Sequence, residues 1–111
     1  MSGGTFNYSQ YRIEDMIELI EDRLDRQGCA IPDEDLYMSD EYYKDYPEEA
    51  IYEVYPEEIQ NEFKNAIYYL KIAYIYAQRL DWYLAGDDGD ESFLSRLEED
   101  FNKEGIDIHK I

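Results

Sequence analysis

From Ile59 to Leu84 one apolar register runs unbroken, through Ile59, Phe63, Ala66, Leu70, Ala73, Ala77, Leu80 and Leu84, in alternating steps of four and three. That spacing places all eight on one stripe of an α-helix, the pattern of a helix packed nearly parallel or antiparallel to another. Ile67 and Tyr74 flank the stripe on one side, and Tyr69, Tyr76 and Tyr83 on the other. Tyr68, Ile72, Ile75 and Trp82 cover much of the back, leaving Lys64, Asn65, Lys71, Gln78 and Arg79 as a narrow polar strip. Pro56 suits a first helical turn, Glu57 and Glu58 complement the positive helix end, and Gly86 supplies a stop. A helix of about 29 residues spans roughly 43 Å. A compact chain of this length has a radius of gyration of about 13 Å and a diameter of roughly 34 Å. A helix apolar round most of its circumference must be buried on most sides. The pattern therefore predicts either a central helix wrapped by the rest of the chain or one side of a homo-oligomer formed through residues 59–84.

Two further helices are legible. Ile13, Ile17, Ile20 and Leu24 recur on one face, with Met16 beside them, which predicts a helix over about 9–27 with Ser9 as N-cap and Gly28 as stop. Phe93, Leu94, Leu97 and Phe101 predict another over about 91–103, capped by Asp90 or Ser92 and closed by Gly105, with Ile106–Ile111 as a short tail. Between the first two lies a segment with no sustained period, 29–55, broken by Pro32 and Pro47 and rich in tyrosine and acid. It reads as a long connection with one or two short helices, around 33–44 and 47–54, and its aromatic content predicts that it packs on the body. The expected architecture is a single all-α domain, residues 1–111, of two or three main helices around a long, mostly buried central one.

Charge narrows the function. Of the net −18, residues 29–58 carry −10, from eleven acids and one base, whereas residues 59–84 carry +1. Nucleic acid and anionic membrane are poor partners for such a chain, because both are bound through clustered Lys and Arg. A basic protein surface is the natural partner. Eighteen charges match the phosphates on roughly 31 Å of duplex, at one per about 1.7 Å of axis. That is close to the diameter of a compact chain, so a DNA-like mean density is expected. No apolar run approaches the roughly 20 residues of a membrane span. The first residues lack the apolar region of a signal peptide, and one cysteine, Cys29, cannot form an internal disulfide. A reduced, cytoplasmic setting is the default expectation.

The residues offer no enzyme chemistry. His109 is the lone histidine, near the end of the chain, with no Ser or Cys to partner it. Cys29 follows a helix-ending glycine among acids, and negative surroundings dull a thiol's reactivity. The turn Gly86–Asp87–Asp88–Gly89–Asp90–Glu91 suggests calcium, but counting from Asp87 the sixth position is Ser92 where an EF-hand needs glycine. A plain helix-to-helix turn fits it better. Acidic pairs such as Glu48–Glu49 are expected by chance at this composition, and phosphate-binding, nucleotide-binding and hydrolase motifs are missing. No catalytic residue, metal site or cofactor is expected.

Three strings, Met1–Ser2–Gly3–Gly4–Thr5–Phe6–Asn7–Tyr8, Gln78–Arg79–Leu80–Asp81–Trp82 and Gly86–Asp87–Asp88–Gly89–Asp90–Glu91–Ser92–Phe93, resemble small acidic phage and prophage proteins of unknown function. The resemblance implies a mobile-element setting, in which small acidic proteins block host enzymes, and assigns no residue a role. Together with the charge it leads to a counter-defence inhibitor that occupies a basic, nucleic-acid-binding surface of a host or defence protein. Residues 33–58 and 87–91 would form the anionic face. The expected contacts are Asp33, Glu34, Asp35, Asp40, Glu41, Tyr42, Tyr43, Asp45, Tyr46, Glu48, Glu49, Glu53, Asp87, Asp88 and Asp90, with the tyrosines as anchors. Two alternatives stand beside it. One is an oligomeric sponge for a small molecule or nucleotide, using tyrosines with Lys64, Lys71 and Arg79. The other is an accessory or assembly protein whose charge maintains solubility.

Overall fold

In the computed structural model, which describes residues 4–107, four α-helices form. They are α1 (Tyr11–Asp25), α2 (Asp40–Asp45), α3 (Glu57–Leu84) and α4 (Asp90–Lys103), with 3₁₀ turns at Asp33–Asp35 and Pro47–Ala50. Residues 1–3 and the tail with His109 lie outside the described residues. The all-α class built on one long helix is the one the periodicity predicts, and the three main helices begin and end within two residues of their expected bounds.

The helix starts differ from expectation. Neither Ser9 nor Asp90 nor Ser92 caps a helix: the N-caps are Gln10 and Gly89, without side-chain hydrogen bonds. At α1 the preceding chain is already wound into turns, so Arg12 N–H donates to the Ser9 carbonyl at 3.1 Å and Ile13 N–H to that of Gln10 at 3.0 Å. The donors a cap would serve are thus already bonded. The C-terminal ends of α3 and α4 follow the predicted glycine stops, whereas α1 ends at Asp25 and Gly28, left-handed at φ 75°, lies past its C-cap Arg26. Gly86 and Gly105 take φ of 84° and 69°. Asp87 N–H then reaches the Trp82 carbonyl at 3.0 Å and Ile106 N–H that of Phe101 at 2.9 Å, the paired bonds of a Schellman ending. The second ending folds Ile106 back into the core, 4 % exposed, so this residue of the expected tail is an integral apolar contact.

Both α1 and α4 run antiparallel to α3. Gln10 meets Gln78 at 2.9 Å at one end of α1 and Gln27 meets Tyr55 N–H at 2.8 Å at the other. Along α4, Phe93 packs on Tyr83, Asp100 on Arg79 and Phe101 on Tyr76. The buried core is small, Ile72, Ile75, Leu97, Phe101 and Ile106 with Phe93 against it, and Ile17 of α1 is buried separately.

The molecule is long and flat, 62 × 31 × 16 Å with a radius of gyration of 19.5 Å, against the roughly 13 Å of a compact chain. Helices α1 and α4 cover two flanks of α3 and leave a third open. The buried residues of α3 are Ile72, Ile75 and Asp81, not the eight-residue seam. Of that seam Ile59, Ala73, Leu80 and Leu84 are exposed. The reason is geometric: α4 docks on the side of α3 that carries Ile72 and Ile75, and Lys71 lies between the other two helices, 4.0 Å from Glu21 and 3.8 Å from Glu104.

Candidate functional site

The acidic connection does not pack along the helical body. Gly28 N–H donates to the Tyr52 carbonyl at 2.9 Å, Tyr52 N–H to that of Cys29 at 2.8 Å and Ile31 N–H to that of Ala50 at 2.9 Å. These bonds form a short antiparallel neck around the Ala30–Ile51 bridge. Arg23 and Arg26 face the Tyr52 ring at 5.5 and 5.6 Å, and Tyr55 stacks on Phe63 at 4.7 Å, fixing the neck near the start of α3. Beyond it residues 32–50 form a lobe whose α2 packs chiefly on the turn Pro47–Ala50. The expectation that this segment packs on the body thus holds for Tyr52 and Tyr55 and is corrected for residues 32–50. The lobe's tyrosines pack on one another instead, Tyr42 edge-on to Tyr43 at 5.4 Å and tilted against Tyr46 at 5.0 Å. The one sequence signal for α2 is Ser39, whose Oγ accepts from Tyr42 N–H at 3.2 Å ahead of Asp40 and Glu41, a capping arrangement followed by acids that suit a helix start.

The lobe carries eight acids, Asp33, Glu34, Asp35, Asp40, Glu41, Asp45, Glu48 and Glu49, and one base, Lys44, for a net −7. All eight are exposed. Among the described residues none of them forms an ion pair. Glu53, also exposed, lies just past the neck. A hollow of about 330 Å³ opens in the lobe, lined by Tyr37, Met38, Tyr42, Tyr43 and Glu49. A hydrogen bond to the Glu49 carboxylate, with desolvation and neighbouring negative charge, raises the Tyr42 phenol above its ordinary pKa. Tyr37 is 91 % exposed. Tyrosine rings beside a carboxylate suit a cationic side chain, which gains from ring faces and charge together. The sequence reading picked out Tyr42, Tyr43 and Glu49 but not Tyr37 or Met38, since only the turn before α2 brings those two round.

The other half of the expected anionic face lies elsewhere. With 28 residues in α3, its two ends are about 42 Å apart. The lobe sits off the first and the turn at 86–90 off the second, so the structure does not bring residues 33–58 and 87–91 together. Nor is Asp88 presented outward. Its side chain is 1 % exposed, 2.7 Å from Arg96 and 3.9 Å from Arg79. Asp90 accepts from the Tyr83 hydroxyl at 2.6 Å, which raises that phenol's pKa. The turn is a structural joint. No group of acids, histidines or cysteines among the described residues is placed to hold a metal.

The basic strip is occupied too. Arg79 donates to Asp100 at 2.7 Å and faces the Trp82 ring at 5.4 Å, and Lys71 is shared between Glu21 and Glu104. Two of the three bases that the sponge alternative invokes thus face the protein's own carboxylates, while Lys64 is exposed.

Residues 4–8, 78–82 and 86–93 converge at the C-terminal end of α3. The Asp81 side chain is 1 % exposed and accepts from Gly4 N–H at 3.0 Å, Phe6 N–H at 3.0 Å and Gln10 Nε2 at 2.9 Å. Desolvation pushes the Asp81 pKa up, but these bonds outweigh it and hold the carboxyl below its usual value. The clasp secures a turn in which Asn7 and Tyr8 both take left-handed φ, 54° and 58°. Such conformations cost about 1–3 kcal/mol each and persist only where neighbours enforce them. Asp81→Ala orphans these donors and is expected to lower stability by about 2–3 kcal/mol, measured by urea denaturation. Because the folded pKa is depressed, the clasp's contribution is complete above the unfolded value near 3.8 and is lost as pH falls through the lower folded value. Protease cleavage within residues 4–10 is therefore expected to appear below about pH 4, and at neutral pH in the variant.

Tyr74 lies two turns back on the same α1-facing flank, against Tyr11. Burial, then the Glu14 carboxylate, pushes its pKa up to about 12. A raised folded value favours the neutral phenol, so its contribution is whole below the unfolded 10.0 and is lost as pH rises through about 12. Alkaline titration by tyrosinate absorbance is expected to show the α1–α3 contact loosening in that window, and Tyr74→Phe to be more alkali-resistant.

Comparison with protein-family models, curated proteins and solved structures gave no match. No helix among the described residues is long and apolar enough to cross a membrane.

Proposed function

We propose that this protein is a non-enzymatic acidic inhibitor from a mobile element. It acts in the cytoplasm of a bacterial host, and its lobe occupies a basic, nucleic-acid-binding surface of a host or defence protein. The observation that carries the reading is the lobe itself: eight exposed carboxylates without ion pairs among the described residues, held clear of the helices by a bonded neck and surrounding a tyrosine-lined hollow. Internal packing has no use for such an arrangement. Exposed like charges raise the energy of the folded chain, whereas a cationic surface gains from them in both rate and register.

The site is narrower than charge alone suggests. Spread over 62 Å, a charge of −18 amounts to one per about 3.4 Å, half the linear density of duplex DNA. Imitation of DNA by the whole molecule is therefore replaced by local presentation, with Asp33, Glu34, Asp35, Asp40, Glu41, Asp45, Glu48 and Glu49 forming the field. The hollow at Tyr42 and Tyr43 receives one Arg or Lys side chain of the partner. Asp87, Asp88 and Asp90 drop out of the partner face.

The test is a pull-down from host lysate at low salt with a stepwise salt wash. Wild type runs beside a variant whose eight lobe acids are changed to Asn or Gln. The expected result is one nucleic-acid-handling protein, released by salt and missing from the variant. Equal retention by both proteins, or no specific protein at all, would remove the inhibitor reading and favour an accessory role.

A further inference from the structure

We infer that the open flank of α3 is a self-association surface, and that the protein is a homodimer in which two α3 helices pack antiparallel through Tyr69, Ala73, Tyr76, Leu80 and Leu84, with Leu94 of α4 at the rim. This goes beyond the proposed function and does not depend on it.

Three observations meet on this face. The first is the four-and-three seam, a spacing that serves helix pairing, whose C-terminal half the chain's own helices leave open. Tyr69, Tyr76, Leu80 and Leu84 are 63, 37, 36 and 57 % exposed, and Leu94 is 63 % exposed. Leu80 and Leu94 border one groove with Tyr83, Phe93 and, at its edge, Asp90, so two helices contribute to a single, mostly apolar patch.

The second is area. The chain exposes 8165 Å², where a globular monomer of 13.3 kDa is expected to expose about 6,450 Å². The excess, about 1,700 Å², is twice the roughly 800 Å² that each partner gives to a standard interface. Half of it suffices for a stable dimer, leaving the rest to the projecting lobe.

The third is charge. From Tyr69 to Leu84 the open stripe itself bears no carboxylate, in a chain of net −18, and the one acid lining the groove beside it, Asp90, is hydrogen-bonded to the Tyr83 hydroxyl at 2.6 Å. A second copy therefore meets little repulsion there, and a basic partner finds few charges to pair with. The antiparallel sense follows, because it sends the two lobes, −7 each, to opposite ends of the pair. A parallel pair would set them side by side.

The dimer is held by apolar contact between like-charged chains, so screening strengthens it. Added salt weakens a partner held by the lobe, which separates failure of this proposal from failure of the functional one.

Sedimentation equilibrium decides. Wild type is expected at twice the chain mass of 13.3 kDa, with tighter association as salt rises. Leu80→Glu is expected to weaken it by ~100-fold or more, as for an interface centre, with helicity by circular dichroism unchanged. Should that variant lose its helicity, the paired Leu84→Ser and Leu94→Ser changes, at positions already more than half exposed, are expected to weaken association by at least ~10-fold. A wild-type protein that stays at the single-chain mass at every concentration and salt overturns the proposal. So does a dimer that folded stripe variants leave intact.

Discussion

Phe101→Ala is expected to destabilise the fold by about 3–5 kcal/mol, the usual cost of truncating a buried aromatic. Phe101 is the most deeply buried apolar side chain, 1 % exposed. Its ring meets Tyr76 edge-on at 5.2 Å, and its carbonyl accepts the Ile106 N–H that turns the chain back into the core. Since the core beside it is only Ile72, Ile75, Leu97 and Ile106, there is little to collapse into the void. With total stabilities of about 5–15 kcal/mol typical, a loss of this size releases α4 from α3. Thermal melting is expected to shift down by roughly 12 °C or more, while the α1–α3 pair keeps its helicity longer. Phe101→Leu, which refills most of the volume, should recover over half of the loss. A Phe101→Ala protein that melts with wild type would mean that α4 is not docked as described.

How much of this could be read from residues alone depends on whether the signal was local. The helix over residues 57–84 was legible because its periodicity runs for seven turns, and the stops at Gly86 and Gly105 because left-handed backbone favours glycine. Which face of α3 would be covered was not legible. The eight-residue seam outranks Ile72 and Ile75 in regularity, yet α4 docks on the latter, a choice made by Phe101 and Ile106 from the far end of the chain. Asp81 shows the same limit. On paper it interrupts an apolar helix, and only the fold brings Gly4, Phe6 and Gln10 around it. The lobe was visible as charge and tyrosine but not as a shape, because its neck pairs residues 28–31 with 50–52 through backbone groups, which leave no mark on composition. The acids of the 86–90 turn misled for the converse reason. Their sequence resembles the lobe's, but Asp88 has two arginines within reach and the lobe's carboxylates form no ion pair among the described residues.

Neutralising the lobe carries the other large effect. If each of the eight carboxylates contributes the roughly 0.2–1 kcal/mol of an exposed ion pair, changing all of them to amides lowers partner affinity by at least about tenfold. The loss should fall mainly on association at low salt, since the lobe steers encounter. The variant should fold at least as stably as wild type, because like charges are removed from a segment that makes no ion pairs among the described residues. That separates loss of binding from loss of structure. Tyr42→Ala tests the hollow independently. It removes the ring shared by Tyr43, Tyr46 and the Glu49 contact, and is expected to weaken binding with little change in salt dependence.

The most direct measurement is competition: the captured partner is titrated onto immobilised protein in the presence of increasing duplex DNA, at two salt concentrations. If the lobe occupies a nucleic-acid-binding surface, DNA displaces the partner completely, and the affinity falls steeply with salt, with a shallower fall for the neutralised lobe. A ternary complex of partner, DNA and this protein, or an affinity indifferent to salt, would contradict it.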